Sequence, residues 1–184
     1  NIIDTPGLDD FIGEIASTMR IADTAAMVIN AQHGVEVGSE ITWNYIDRFG
    51  KPTLFVVNQI YHPKANFEDT FNSIVSNFGK NAVLVQYPTN VDGSLCIVDV
   101  LKMRLYKFGP DVGKPEKLDI PKGELETANR LHNELVEKAA ENDETLMELF
   151  FEKGTLNEDE LRAGIKAGMM NHELFPVFCV SALK

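Results

Sequence analysis

Only two cysteines occur in 184 residues, Cys96 and Cys179, and both have apolar neighbours. Two such positions make neither a disulfide framework nor a metal-ligand spacing, and they read as buried free thiols of a reducing compartment. His33, His62, His132 and His172 are scattered, without the HxxxH or HExxH spacing of a zinc site. Positive charge is scarce, 17 Lys and Arg against 28 Asp and Glu, for a net charge of −11. That balance argues against wrapping DNA or RNA, because phosphate neutralisation needs a basic face. No apolar run approaches the ~20 residues needed to span a bilayer, and no signal-peptide pattern opens the chain. Internal repeats and low-complexity tracts are absent from the sequence as well.

What is present is ordinary for a globular protein, with 44% hydrophobic and 24% charged residues. The length suits one large or two small domains with a real core. Asn1 already falls inside a predicted strand, so a piece of a longer protein is expected.

Taken in order, Asn1-Ile2-Ile3-Asp4-Thr5-Pro6-Gly7 reads as a strand ending in a tight loop. Glu14 to Ile21 is helical, with Ile15, Met19 and Ala22 on one face. Thr24 to Asn30 and Thr53 to Asn58 are apolar runs suited to strands buried on both sides. Between them a helix carries Ile41, Trp43, Tyr45 and Ile46, with Ser39 as its predicted cap. A helix over 66–78 follows, with Phe67, Phe71, Ile74, Val75 and Phe78 as its core face and Gly79 closing it. Ala82 to Tyr87 is a third strand. Strands alternating with helices in this way predict a mainly parallel α/β sheet with flanking helices.

The alternation then stops. Residues 91–108 read as a hairpin or paired strands, and the Gly-, Pro- and Lys-rich 109–122 as a loop. From Gly123 to about Met170 the pattern is helical. One stripe is Leu125, Ala128, Leu131, Leu135 and Ala139; another is Leu146, Leu149 and Phe150. Asn157 with Glu160 makes a capping box for a third helix through Leu161, Ile165 and Met169. Phe175 to Val180 is a last strand.

Three strand ends carry short polar motifs: Asp4-Thr5-Pro6-Gly7, Asn58-Gln59-Ile60-Tyr61 and Ser181-Ala182-Leu183. In a parallel sheet all three are expected along the carboxyl edge, where ligands bind. An Asp there can order the water shell of a magnesium ion, and a following Gly can turn its N–H toward a terminal phosphate. Each motif is weak alone; an ordered set is stronger.

With NIIDTPGLDDF, GVEVGSE, VNQIYHPKANF, VDVLKM, HNELVEKAAENDETLMELFF and VSALK in view, the chain resembles bacterial elongation factor G, a translational GTPase, over essentially its whole length. The resemblance implies a P-loop GTPase-type fold with an inserted α+β subdomain. The expected division is 1–90 with 175–184 as a partial guanine-nucleotide-binding domain and 91–174 as the insert. It implies GTP or GDP with Mg2+ in the full-length protein. Asp4, Thr5, Pro6, Gly7 and Leu8 would then lie at the γ-phosphate and metal, Asp4 acting through the metal's water shell. Asn58, Gln59, Ile60 and Tyr61 would lie at the base, and Ser181, Ala182 and Leu183 beside the guanine carbonyl. No GxxxxGK[ST] occurs in these residues, so the fragment alone is expected to hold no nucleotide.

Two positions depart from the family. The family continues Asp-Thr-Pro-Gly with a His that orients the attacking water, and here Leu8 offers water no hydrogen bond. Asp9, next in line, is the alternative water-orienting group. The family's second motif is Asn-Lys-x-Asp, whose carboxylate accepts from guanine; Tyr61 cannot do this, and Gln59 lacks the cation. Losing both carboxylate bonds is expected to cost about 3–5 kcal/mol of guanine affinity.

The resemblance thus points to an elongation factor G-like translation factor in ribosomal translocation, cytoplasmic, with impaired GTP hydrolysis and no catalytic residue assigned. Two alternatives stand beside it: an active GTPase with atypical motifs, and a non-enzymatic module that regulates ribosomes. Between Gly123 and Glu160 twelve Asp or Glu face three Lys or Arg, most of the chain's charge imbalance. That surface is either a solvated face or, by resemblance, a dock for the ribosomal stalk protein. Neither DNA nor a membrane is an expected partner, and the fragment is expected to be monomeric.

Overall fold

A computed structural model describes residues 1–7, 9–109 and 114–181. Alternating burial organises the first half. In β1 (Ala25–Asn30) and β2 (Thr53–Asn58) every second residue is buried, so Met27, Ile29, Phe55 and Val57 point into a core. These strands join β3 (Ala82–Leu84) and β8 (Phe175–Cys179) in a four-stranded parallel sheet of order β1-β2-β8-β3. α1 (Ile12–Ile21), α2 (Val37–Arg48) and α3 (Phe67–Phe78) bring Ile15, Met19, Ile46, Ile74 and Phe78 to that core. Phe55 stacks on Phe78 with ring centroids 5.4 Å apart, and Trp43 tilts against Phe78 at 4.9 Å. On the opposite face β1 is open, with Val28 61% exposed, while Val83 of β3 is buried and Phe178 of β8 packs against the second core.

The second half builds a separate antiparallel sheet, in order β4 (Gln86–Val91), β5 (Ser94–Asp99), β6 (Arg104–Lys107) and β7 (Glu116–Leu118). Asp92 and Gly93, with φ of 51° and 73°, make the two-residue turn between β4 and β5. Against this sheet pack α4 (Leu125–Ala140), α5 (Glu144–Lys153) and α6 (Glu158–Met170), around Val98, Leu105, Leu131, Leu135 and Leu161. The Asn157–Glu160 capping box forms in full, with Asn157 Oδ1 accepting from the N–H groups of Asp159 and Glu160 and Glu160 Oε2 accepting from Asn157 N–H. Glu124 ties the start of α4 to β4, accepting from Tyr87 Oη at 3.1 Å and Thr89 Oγ1 at 2.9 Å. Burial, then the Glu124 charge, hold the Tyr87 phenol above its ordinary pKa.

The expected α/β class holds, and several local expectations change. Asn1–Asp4 is not a strand: Ile2 is 98% exposed, and no described strand runs beside it to satisfy its N–H and C=O groups. α2 begins before Ser39, on an extended Glu36 that makes no side-chain cap, so Ser39 lies inside the helix. The single strand expected at 82–87 divides at Val85. Its N–H donates to Val177 in the parallel sheet while its C=O accepts from Val100 in the antiparallel one. β7 forms inside the predicted 109–122 loop, with Leu118 opposite Leu105. Leu125, placed on the apolar stripe of α4, is exposed at the helix's first turn.

Candidate functional site

Parallel pairing of β1, β2 and β8 sends their carboxyl ends to one edge. Asn30 sits opposite Asn58, and Val180 N–H donates to Val57 C=O beside them. Three of the positions expected at the base, Asn58, Gln59 and Ile60, therefore meet Ser181 at that edge, with Tyr61 following on the same loop. Ile60 is buried and Tyr61 half-buried. Ile60 and Ser181 share a cleft of about 460 Å3 with Gln86, Leu95 and Tyr106 of the second sheet and Phe108 just past β6. Cys179 lines the same cleft, and burial pushes its thiol up to about 12, so it stays protonated and inert at neutral pH.

Amide groups dominate the edge. Asn30 Oδ1 accepts from Gln32 N–H at 2.9 Å, and Gln32 Nε2 donates to Gln59 Oε1 at 2.5 Å. Asn58 Oδ1 accepts from Gln59 N–H at 2.7 Å, and Asn58 C=O accepts from Ala31 N–H. Gln59 sits in the left-handed region at φ 63°, a conformation a long side chain adopts only when its surroundings impose it. Ser181 Oγ is buried and finds no hydrogen-bond partner among the described residues.

Asp4, Thr5, Pro6 and Gly7 lie elsewhere. They line a second cleft, of about 930 Å3, with Ala25–Val28 of β1 and Gly38 and Ser39 at the start of α2; neither Asn58–Tyr61 nor Ser181 lines it. Asp4 is exposed. The described residues contain no group of three His, Cys, Asp or Glu able to hold a metal ion. A lone carboxylate suits contact with a magnesium ion through its water shell and no direct cage. Leu8, Ala182 and Leu183 fall outside the described residues.

Against a purine nucleotide, the edge fits in part. Asn58, Gln59 and the unpartnered Ser181 hydroxyl suit a base bearing carbonyl and ring-nitrogen acceptors. No carboxylate stands in the Asn58–Tyr61 motif to accept from guanine N–H groups. The Gln32 contact was missed from sequence, since nothing in a loop glutamine signals a partner on the neighbouring strand's loop.

A parallel sheet flanked by helices, with a polar carboxyl edge, defines the nucleotide-binding α/β class. The family model for the elongation factor Tu GTP-binding domain matches residues 1–184. A crystal structure of a protein from Thermus thermophilus superposes with a TM-score of 0.86 at 27% identity, over 97% of this chain and 26% of that one. The chain thus spans about a quarter of the length of that protein. It belongs to the elongation factor Tu GTP-binding domain family, the domain of the translational GTPases.

Proposed function

We propose that this chain is part of an elongation factor G-like translation factor that acts on the ribosome in translocation, in the cytoplasm, with GTP hydrolysis slowed or absent. Residues 1–90 and 175–184 hold its nucleotide-binding part and 91–174 its inserted subdomain, with β4 (Gln86–Val91) pairing into the second sheet just ahead of that boundary. GTP or GDP with Mg2+ binds in the whole protein, with Asp4, Thr5, Pro6, Gly7 and Leu8 at the phosphate end. Asn58, Gln59, Ile60, Tyr61, Ser181, Ala182 and Leu183 serve the base. The observation that carries the reading is the family match over residues 1–184 taken with Leu8 and Tyr61 at two chemistry-bearing positions of the motifs. Leu8 offers the attacking water no hydrogen bond, so orientation of the nucleophile is lost while the phosphate contacts of its neighbours remain.

Steady-state GTP turnover by the whole protein with ribosomes tests this. Turnover is expected far below that of an ordinary translational GTPase, with a partial gain in Leu8→His. Turnover at the ordinary level refutes the impairment. The acidic surface of α4 supplies the stalk contact: charge reversal at Glu134, Glu137 and Glu141 should weaken stalk binding, most at low salt. All three side chains are exposed, Glu134 beside Arg130 and Glu141 accepting from Lys138 Nζ at 2.8 Å.

A further inference from the structure

His172 stands where the chain leaves α6 and returns to the parallel sheet, in the left-handed region at φ 61°. Its ring stacks on Trp43 of α2 with centroids 5.7 Å apart and meets Phe175 of β8 edge to face at 4.9 Å. Both ring nitrogens face oxygen. Nδ1 lies 3.0 Å from the Lys51 carbonyl, just before β2, and Nε2 lies 3.4 Å from Asp47 Oδ1, near the end of α2. Turning the ring over would put carbon at both places, so the two oxygens fix its orientation. A carbonyl can only accept, so Nδ1 carries a proton. In the neutral ring Nε2 then holds a lone pair opposite a carboxylate, and this atom is buried without a hydrogen-bond partner. The imidazolium alone donates from both nitrogens, and its charge also suits the face of Trp43. Among the described residues Asp47 is the one carboxylate within 4 Å of a ring nitrogen. The Lys51 ammonium donates to the Ala22 carbonyl at 2.7 Å, while Arg48 and Glu173 are exposed.

We propose that His172 is a proton-dependent latch, whose imidazolium fastens the return crossing from the helical half to α2 and β2 through Asp47 and the Lys51 carbonyl. The chain joins the two halves at two places. At the first, Val85 gives one backbone hydrogen bond to each sheet, and nothing there changes charge with its side chain. At the second, the hold depends on the state of one ring. α6 ends at this crossing and meets the α4 backbone at Gly164, so the latch governs how firmly both helices stand on the parallel sheet. Histidine changes charge between about pH 5 and 8. The contribution of the latch is full at the acid end of that window, where aspartates are still ionised, and is lost as pH rises through it.

The test is a double-mutant cycle in the whole protein at pH 6 and at pH 8.5, with Asp47→Asn, His172→Gln and the pair combined. Urea unfolding is followed through Trp43, the one tryptophan of these 184 residues. His172→Gln keeps a donor for the Lys51 carbonyl and cannot become charged. The coupling between His172 and Asp47, read as a ratio of unfolding constants, should be about two- to fivefold at pH 6, the span of a partly exposed ion pair. At pH 8.5 that ratio should be about one. Equal coupling at both pH values would overturn the proposal, because the contact would then hold without the proton. No coupling at either pH, with the same loss in His172→Gln at both, would leave a ring that merely packs on Trp43 and would equally overturn it. Should a variant fail to fold, the ring nitrogen-15 shifts of His172 in the unaltered protein decide. Two protonated nitrogens at pH 6 support the latch, and a bare Nε2 at that pH refutes it.

Discussion

The parallel-sheet half and the helical half of this protein are held together differently. In the helical half, backbone approaches backbone. A Cβ added at Gly164 of α6 would lie 2.6 Å from the Ala139 carbonyl oxygen of α4, and one at Gly168 would lie 2.7 Å from Leu174 Cβ. At the carboxyl edge of the parallel sheet, by contrast, half-buried amides hold one another across two strand ends, and Gln59 occupies an unfavourable backbone region. Close packing fills the first region, and hydrogen bonds with spare capacity fill the second. Substitutions should therefore cost stability in one and change ligand preference in the other.

The largest effect that would break or sharpen this contrast is expected at Leu161, fully buried between α6 and its neighbours. Leu161→Ala should lower unfolding free energy by about 2–5 kcal/mol in urea titration, leaving the relative affinity for GDP and ADP unchanged. Gly164→Ala should cost about 1–3 kcal/mol, because the obstructing atom is a carbonyl oxygen of a helix that cannot swing away. A cost near zero would show that α4 and α6 slide apart freely. Asn157→Ala removes both acceptor bonds of the capping box and should cost about 1 kcal/mol, read from the same titrations.

The smallest expected effect is a pH slope from Asp99. Burial raises its pKa above the ordinary aspartate value, although its carboxylate accepts from Lys102 N–H at 2.9 Å. Between the ordinary value and the raised one the native state therefore holds a proton that the unfolded chain has released. Stability should fall as pH rises from the ordinary aspartate value through the raised one, and stay lower above it. Asp99→Asn keeps the acceptor oxygen, should flatten that slope, and should raise the thermal midpoint slightly at neutral pH. An unchanged slope would show that Asp99 is solvated in solution.

Much of the scaffold was legible because it depends on local period. The alternating runs at 25–30 and 53–58 announced strands, the 3.6-residue stripes at 128–139 and 161–169 announced helices, and Asn157 with Glu160 announced a cap. Each of these rests on side chains a few positions apart. Val85 was not legible, because the choice between two sheets depends on where Val177 and Val100 arrive. β7 in a Gly- and Pro-rich stretch was hidden for the same reason: it forms on the free edge of β6. The opening Ile2-Ile3 failed in the other direction, since apolar character announces a strand but only a neighbouring strand can pair one.

At the expected site positions, residue types alone fix two chemical limits. Leu8 cannot hydrogen-bond water and Tyr61 cannot present a carboxylate, in whatever fold they sit. The sequence likewise determined the helices' amphipathic faces and the acidic excess of 123–160. Only the tertiary structure decided that Asp4 to Gly7 lie in a cleft apart from the edge of Asn58, Gln59 and Ser181, and that Gln32 reaches Gln59. The physical reason is distance: an amide's remaining hydrogen-bonding capacity depends on which partner folding brings within ~3 Å, and that partner stands on another strand.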